Sequence, residues 1–341
     1  MMGGTTTSSP GDQRATTETT SGTWSRVAGR SRRILGEHAV ETLFVGVVLL
    51  GFIASPNFLT TFNVNSILQQ AAVLGILAVG QAVVIISGGF DLSVGSVVAL
   101  STMVTASTIA EFGLLSIPVA VLAGGAMGAV SGLAVTWARI PPFVATLAVL
   151  GIARGLAFTI DNQGIVISDA QLVAFHAAHV GPVPLVALVW LAIVVLVHLL
   201  LRFTRTGTHW YAVGGNLETA RLAGVPVARV QLKAYLLSGC LAGLAGVLFA
   251  ARSSSGSPGI AAGWELDSIA VVVIGGVSLL GGAGNVLRVA LGVLIYLMLA
   301  NVMNLVNVDT YLQNVLKAVL ILSAVTIPLF VQRRGQARRA S

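Results

Sequence analysis

Charge is what this sequence has least of. Asp, Glu, Lys and Arg make up 9% of its 341 residues while 55% are hydrophobic, where a soluble domain carries about 25% charged residues. No water-soluble core buries that much apolar surface, so a soluble enzyme or binding module is excluded and a polytopic membrane protein remains. The single cysteine, Cys240, excludes an intrachain disulfide and a thiolate metal cluster. Its plain role is that of a small apolar residue packed among glycines. The only lysines are Lys233 and Lys317, and no G-x-x-x-x-G-K-[ST] run occurs, so the chain has no phosphate-cradling loop and is not itself an ATPase. H-E-x-x-H and clustered His and acidic ligands are missing too, which leaves metal catalysis without support.

The few charges present are placed rather than scattered. The formal net charge is +7, and the basic residues lie at the ends of apolar runs, where they pin orientation and meet anionic lipid headgroups. No basic-aromatic module points to nucleic acid. Residues 1–36 are rich in Thr, Ser and Gly and read as a disordered cytoplasmic tail. The first apolar run begins near Ala39, too late for a cleaved signal, and Arg26, Arg30, Arg32 and Arg33 before it hold the N-terminus inside.

Apolar windows of about 20 residues place spans near 39–55, 65–87, 92–110, 117–138, 142–160, 183–202, 232–251, 265–281, 286–303 and 311–331. The expected fold is an all-α transmembrane bundle of about ten spans over 37–331, followed by a basic cytoplasmic tail at 332–341. Alternating from inside, the cytoplasmic segments hold all 19 Lys and Arg residues except Arg154, Arg252 and Lys317. The outside segments hold Glu111, Asp161, Asp169, Glu265 and Asp309 instead. Both termini are therefore expected in the cytoplasm.

The longest polar interruption, about 203–231, reads as a built loop. Gly214 and Gly215 allow a tight turn, and Asn216 is suited to cap a short helix from Leu217 to Ala223. Glu218 lies near the positive end of that helix and Arg221 nearer the negative end. Gly224 stops it, with Pro226 just beyond. Such a capped helix at the membrane surface is either an ordered loop or something for a partner to grip. Two spans are interrupted at Gly88-Gly89 and Gly275-Gly276, where GGFDL aligns with GGVSL. This suggests a duplicated helix pair with broken helices, an arrangement found in transporters.

Several side chains are candidates for function. Asp91 is placed to cap the next span near the inner interface; the alternative is a polar contact to a solute or gate. Asn63, Gln70 and Gln81 share one helical angle and should face protein or a water-filled path rather than lipid. Asn301 and Asn304 offer similar amides later in the chain. Amides suit uncharged hydroxyl-bearing solutes, and interhelical hydrogen bonding is the other reading. Arg154 and Asp161 lie seven residues apart on one face and read as a pair near the outer surface. Gly239, Gly243 and Gly246 read as helix packing, His198 as a satisfied residue inside the membrane, and Lys317 as partnered within the bundle.

Four segments then resemble one family. IISGGFDLSVGSVVAL, residues 85–100 with Gly88, Gly89, Asp91, Ser93 and Gly95, resembles the signature of the integral membrane subunits of ABC importers for ribose, xylose, galactose and related monosaccharides. PPFVATLAVLGIARGLA at 141–157, YAVGGNLETARLAGV at 211–225 and GWELDSIAVVVIGGVSLLGGAG at 263–284 are similar to later segments of the same family, in its order. The resemblance implies a permease pair, homodimeric or mixed, with two ATP-hydrolysing subunits docked on the cytoplasmic side and an extracytoplasmic sugar-binding protein. ATP and Mg would be used by the partner, with no cofactor bound by this chain. The ATPase-coupling segment would comprise Gly214, Gly215, Asn216, Glu218, Ala220, Arg221 and Gly224. The rival reading is an ion-coupled secondary transporter of a small neutral solute, for which ionisable groups at mid-membrane would be required.

Overall fold

A computed structural model describes residues 38–319 together with Gly3, Leu322 and Thr326. The expected tails at 1–36, apart from Gly3, and at 332–341 lie outside the described residues, as does most of the end of the last span. The chain is all-α and polytopic. Its helices are α1 (Ala39–Ala54), α2 (Thr61–Ile86), α3 (Val94–Phe112), α4 (Ser116–Thr136), α5 (Pro142–Ile160) and α6 (Ala170–Ala177). Then follow α7 (Leu185–Phe203), α8 (Arg205–Gly215), α9 (Leu217–Leu222), α10 (Val227–Ser253), α11 (Trp264–Ile274) and α12 (Val286–Leu305). Residues 310–319 are helical as well.

Among the described residues, six helical segments are long and apolar enough to cross a membrane, with α3 and α4 joined through the 3-10 turn Gly113–Leu115 as one of them. The bundle is organised around α2. Every residue from 71 to 87 is buried, as expected of a helix that is apolar all round, and α10, α11, α12 and α7 pack on it. Thr60 caps its start by accepting from the Asn63 N–H.

The tightest interface is between α4 and α10, and glycine makes it. A Cβ added at Gly128 would collide with the Tyr235 carbonyl, and one at Gly239 with the Gly124 carbonyl. In lipid, apolar faces gain nothing by leaving water, so helices associate where small residues let backbones come close. Gly239 and Gly243 therefore do the packing work their spacing suggests.

Both Gly-Gly segments break helices. α2 stops at Ile86 and Gly88 takes φ +82; α11 stops at Ile274 and Gly276 takes φ +79. The expected span at 265–281 is thus corrected: α11 has 11 residues, about 16 Å at 1.5 Å per residue, half a crossing. The chain then runs without helix from 275 to 285, because Gly275, Gly276, Gly281, Gly282 and Gly284 have poor helix propensity and four of them sit at positive φ.

One face of the bundle carries Arg139, Arg202, Arg205, Arg221, Arg229 and Lys233 at and between helix ends and is called the basic face below. On the opposite face, β1 (Ile165–Val166) pairs antiparallel with β4 (Ser255–Gly256), and β2 (His179–Val180) with β3 (Val183–Pro184). Asp169 caps α6 by accepting from the Leu172 N–H at 2.8 Å. Burial and the nearby Arg252 and His179 charges hold the His176 imidazole below its ordinary range.

Candidate functional site

The interruption between α7 and α10 folds as two short helices. Thr204 caps α8 by accepting from the Gly207 N–H at 3.2 Å. Asn216 caps α9 in the same way, accepting from the Thr219 N–H at 2.9 Å. Gly224, at φ +78, ends α9, with its N–H on the Arg221 carbonyl and the Val225 N–H on the Ala220 carbonyl. Glu218 and Arg221 form an exposed pair at 3.2 Å, Ala220 is buried beneath, and Leu222 stands 82% exposed. The sequence shows α9 through its caps but not α8, which carries no long apolar run.

Gly214 and Gly215 form no turn, which corrects that expectation. They are the last residues of α8, and Gly214 is a glycine because other backbones press on it. A Cβ on Gly214 would overlap the Ile86 carbonyl, and one on Gly281 would come within 2.8 Å of the Gly214 carbonyl. The Gly282 N–H donates to the Ile86 carbonyl at 2.9 Å, and a Cβ on Gly88 would stand 3.4 Å from the Gly214 Cα. The Tyr211 hydroxyl donates to the Gly284 carbonyl at 2.9 Å, and burial raises that phenol above its ordinary range. Both helix breaks therefore meet at the end of α8, one residue before α9 is capped.

The signature segment is clamped as it leaves this junction. Gly89 has no room for a side chain beside the Tyr235 hydroxyl, and a Cβ on Gly95 would press on the Ala261 carbonyl and Glu265 Oε2. The Tyr235 hydroxyl donates to the Phe90 carbonyl at 3.2 Å. Asp91 is 1% exposed, and its Oδ1 accepts from the Ser93 N–H at 3.0 Å and from the Ser93 hydroxyl. Its Oδ2 accepts from the Ser238 hydroxyl at 3.0 Å. Two expectations are corrected here. Ser93, not Asp91, stands at the N-cap of α3, and Ser238 lies midway along α10, so Asp91 is deep in the bundle rather than at its inner edge.

The amide candidates separate into three environments. Asn63 and Asn301 bond reciprocally at 2.9 and 2.7 Å, and Asn63 also donates to the Phe58 carbonyl. Gln81 is fully buried, and neither amide atom has a protein partner. Gln70 and Asn304 line a chamber of about 200 Å³ between α2, α12 and the helix at 310–319. Trp264, Asp267 and Tyr296 line it as well, residues that sequence patterns did not single out. Arg154 does not pair with Asp161. Its guanidinium donates to the Pro258 and Ile260 carbonyls at 2.7 and 2.6 Å, while Asp161 accepts from the Gln163 and Gly164 N–H groups.

Comparison with known proteins bears on this arrangement. Residues 63–325 match the family described as the permease component of branched-chain amino acid transport systems. The chain belongs to this permease family. Among curated relatives, the ribose import permease protein RbsC of Escherichia coli (strain K12) is 38% identical over 302 residues, covering 84% of this chain and 92% of the relative. RbsC of Bacillus subtilis is 37% identical over 292 residues, covering 84% and 90%. The L-arabinose ABC transporter permease protein AraH of Azospirillum brasilense is 36% identical over 320 residues, covering 92% and 93%. No solved structure matches. The permease is thus a multi-pass membrane component of the ABC type, and the reported relatives are sugar permeases.

Proposed function

We propose that this chain is the permease subunit of an ATP-driven importer of a monosaccharide in the cytoplasmic membrane. The basic face is cytoplasmic, in keeping with the positive-inside rule, and both termini lie on that side. Two copies form the pathway, two ATPase subunits dock at α9, and a sugar-binding protein delivers cargo to the opposite face. The observation that carries the reading is the junction at Gly214. A capped surface helix, whose cap Asn216 lies two residues from the contact point of both helix breaks, is built to pass an external movement into the bundle. A cleft of about 790 Å³ beside α9, with Arg139, Arg221 and Arg229 on its walls, offers an acidic partner surface a place to seat. Transport then proceeds by alternating access, with the chain itself carrying out no hydrolysis.

The names of RbsC and AraH support a pentose-like cargo. The deciding experiment is sugar uptake into vesicles, first with the permease alone and then with ATPase and binding protein, with ATP present and ion gradients collapsed. Uptake that needs every component and ATP is expected. Gradient-driven uptake by the chain alone would overturn the reading in favour of an ion-coupled transporter.

A further inference from the structure

The chamber beside Tyr296 gathers polar side chains from five helical segments. At about 200 Å³ it has room for roughly six or seven waters. Gln70 comes from α2, Arg252 from the end of α10 and Trp264 from the start of α11, while Asn304 stands at the far end of α12. All lie in the half of the bundle away from the basic face.

The hydrogen bonds within the chamber determine what it offers. Gln313 Nε2 donates to Asn304 Oδ1 at 2.8 Å and to the Val308 carbonyl at 2.9 Å. Gln70 Nε2 donates to the Ser66 carbonyl at 3.2 Å. The amides of Gln313 and Gln70 are thereby oriented with donors engaged, and their carbonyl oxygens are the groups to be offered; for Asn304 it is the N–H₂. Asp267 Oδ1 accepts from the Tyr296 hydroxyl at 2.6 Å, which fixes the carboxylate and orients its second oxygen. Lys317 stands over the Tyr296 ring, 5.7 Å from its centroid.

One small space thus presents both donors and acceptors among apolar walls that include Val73, Leu74 and Leu297, and the group that satisfies both at once is a hydroxyl. Trp264 supplies an aromatic wall, braced edge-on by Phe249 at 5.5 Å. The C–H groups on one face of a sugar ring carry slight positive charge and pack against the negative face of such a ring system. Two cations, Arg252 and Lys317, stand against one carboxylate, so a solute bearing an ammonium group is disfavoured.

We propose that this chamber is a holding site for the solute inside each permease subunit. It takes one monosaccharide ring, neutral or acidic but not amino-substituted, against Trp264 on the side where the cargo enters. The proposal rests on the importer reading above. The site belongs to a single copy of the chain, so a permease pair has two.

The test uses the full assembly in vesicles and measures both sugar moved and ATP hydrolysed. Trp264→Ala is expected to lower sugar moved per ATP by about three- to tenfold, with hydrolysis still stimulated by the binding protein. Trp264→Phe should recover most of the loss. Asn304→Leu is the second variant and should show the same drop if Trp264→Ala does not assemble. Parallel loss of hydrolysis and transport in both variants would assign these residues to structure and overturn the proposal, as would an unchanged ratio. If the unsubstituted assembly needs ATP and the binding protein while both variants keep its ratio, only the holding site fails. If the unsubstituted assembly shows no such dependence, the importer reading fails and the holding site with it.

Discussion

Asp91 and Ser238 are 147 residues apart in the chain and 3.0 Å apart in the fold. Their bond fastens the segment after the first helix break to the middle of α10, the helix that packs on α2, α3 and α4. With Oδ1 occupied by Ser93 and Oδ2 by Ser238, the carboxylate is a structural rivet. Asp91→Ala leaves buried donors without acceptors and is expected to cost at least about 1–3 kcal/mol. Asp91→Asn keeps one acceptor and can donate to the Ser238 oxygen, so it should be close to the parent. Thermal unfolding in detergent checks both, and an Ala variant that melts with the parent would refute the assignment.

Gly128→Ala and Gly239→Ala should each destabilise by about 1–3 kcal/mol, since the added methyl meets backbone that cannot swing away. Gly151→Ala is the control, because nothing stands within 4 Å of its added carbon. The same melting measurement separates the two classes. Equal effects would show that the α4–α10 contact yields more easily than its geometry implies.

Charge reversal on α9, by Glu218→Arg or Arg221→Glu, breaks an exposed pair that contributes only about 0.2–0.5 kcal/mol to the helix. Membrane insertion and stability should therefore be kept while ATP-driven uptake falls. Vesicle uptake alongside a melting curve gives both numbers. Full uptake in both variants would count against α9 as the docking element.

Asn63 and Asn301 form a closed pair, so their replacement should act on stability rather than on cargo choice. Asn63→Leu is expected to lose about 1–3 kcal/mol, because the Asn301 amide is left unpaired. The double replacement by Leu should recover part of that loss, as coupled neighbours do. A change in sugar preference without a change in melting would return the pair to the solute path.

The depressed His176 titration sets a pH dependence. The folded state disfavours the imidazolium, so the contribution of the neutral ring is present above the unfolded value near 6.5 and is lost as pH falls through the lower folded value. Amide exchange across α6, corrected for its intrinsic rate, should quicken as pH falls below 6.5. His176→Gln should remove the dependence, and exchange that quickens equally in the variant would point to another group.

Local chemistry explains what could be seen in the sequence. Pro142 marks the start of α5, Asn216 and Gly224 bracket α9, and the Gly-Gly pairs mark both breaks, because caps, prolines and glycines act within one turn of where they stand. The meeting of Ile86, Gly214 and Gly282 has no such local mark. A glycine needed for close approach looks the same in sequence as one needed for a turn, so the sequence at Gly214 suggests the latter. Gln70 and Asn304 were visible as polar residues in apolar runs, yet Asp267, Tyr296 and Gln313 complete their chamber through helix packing alone. Arg154 has an acid at helical spacing and bonds instead to carbonyls of the chain near 258–260, a segment brought there by the β1–β4 pairing.

The junction at Gly214 also limits how the molecule can move. Two separate loads, the segment after α2 and the segment after α11, rest on a single fulcrum with no side chain between them to absorb slack. A displacement at the end of α8 shifts both together or neither. Such a linkage has no half-stroke, and a leak that required one segment to open while the other stayed shut would have to break it first.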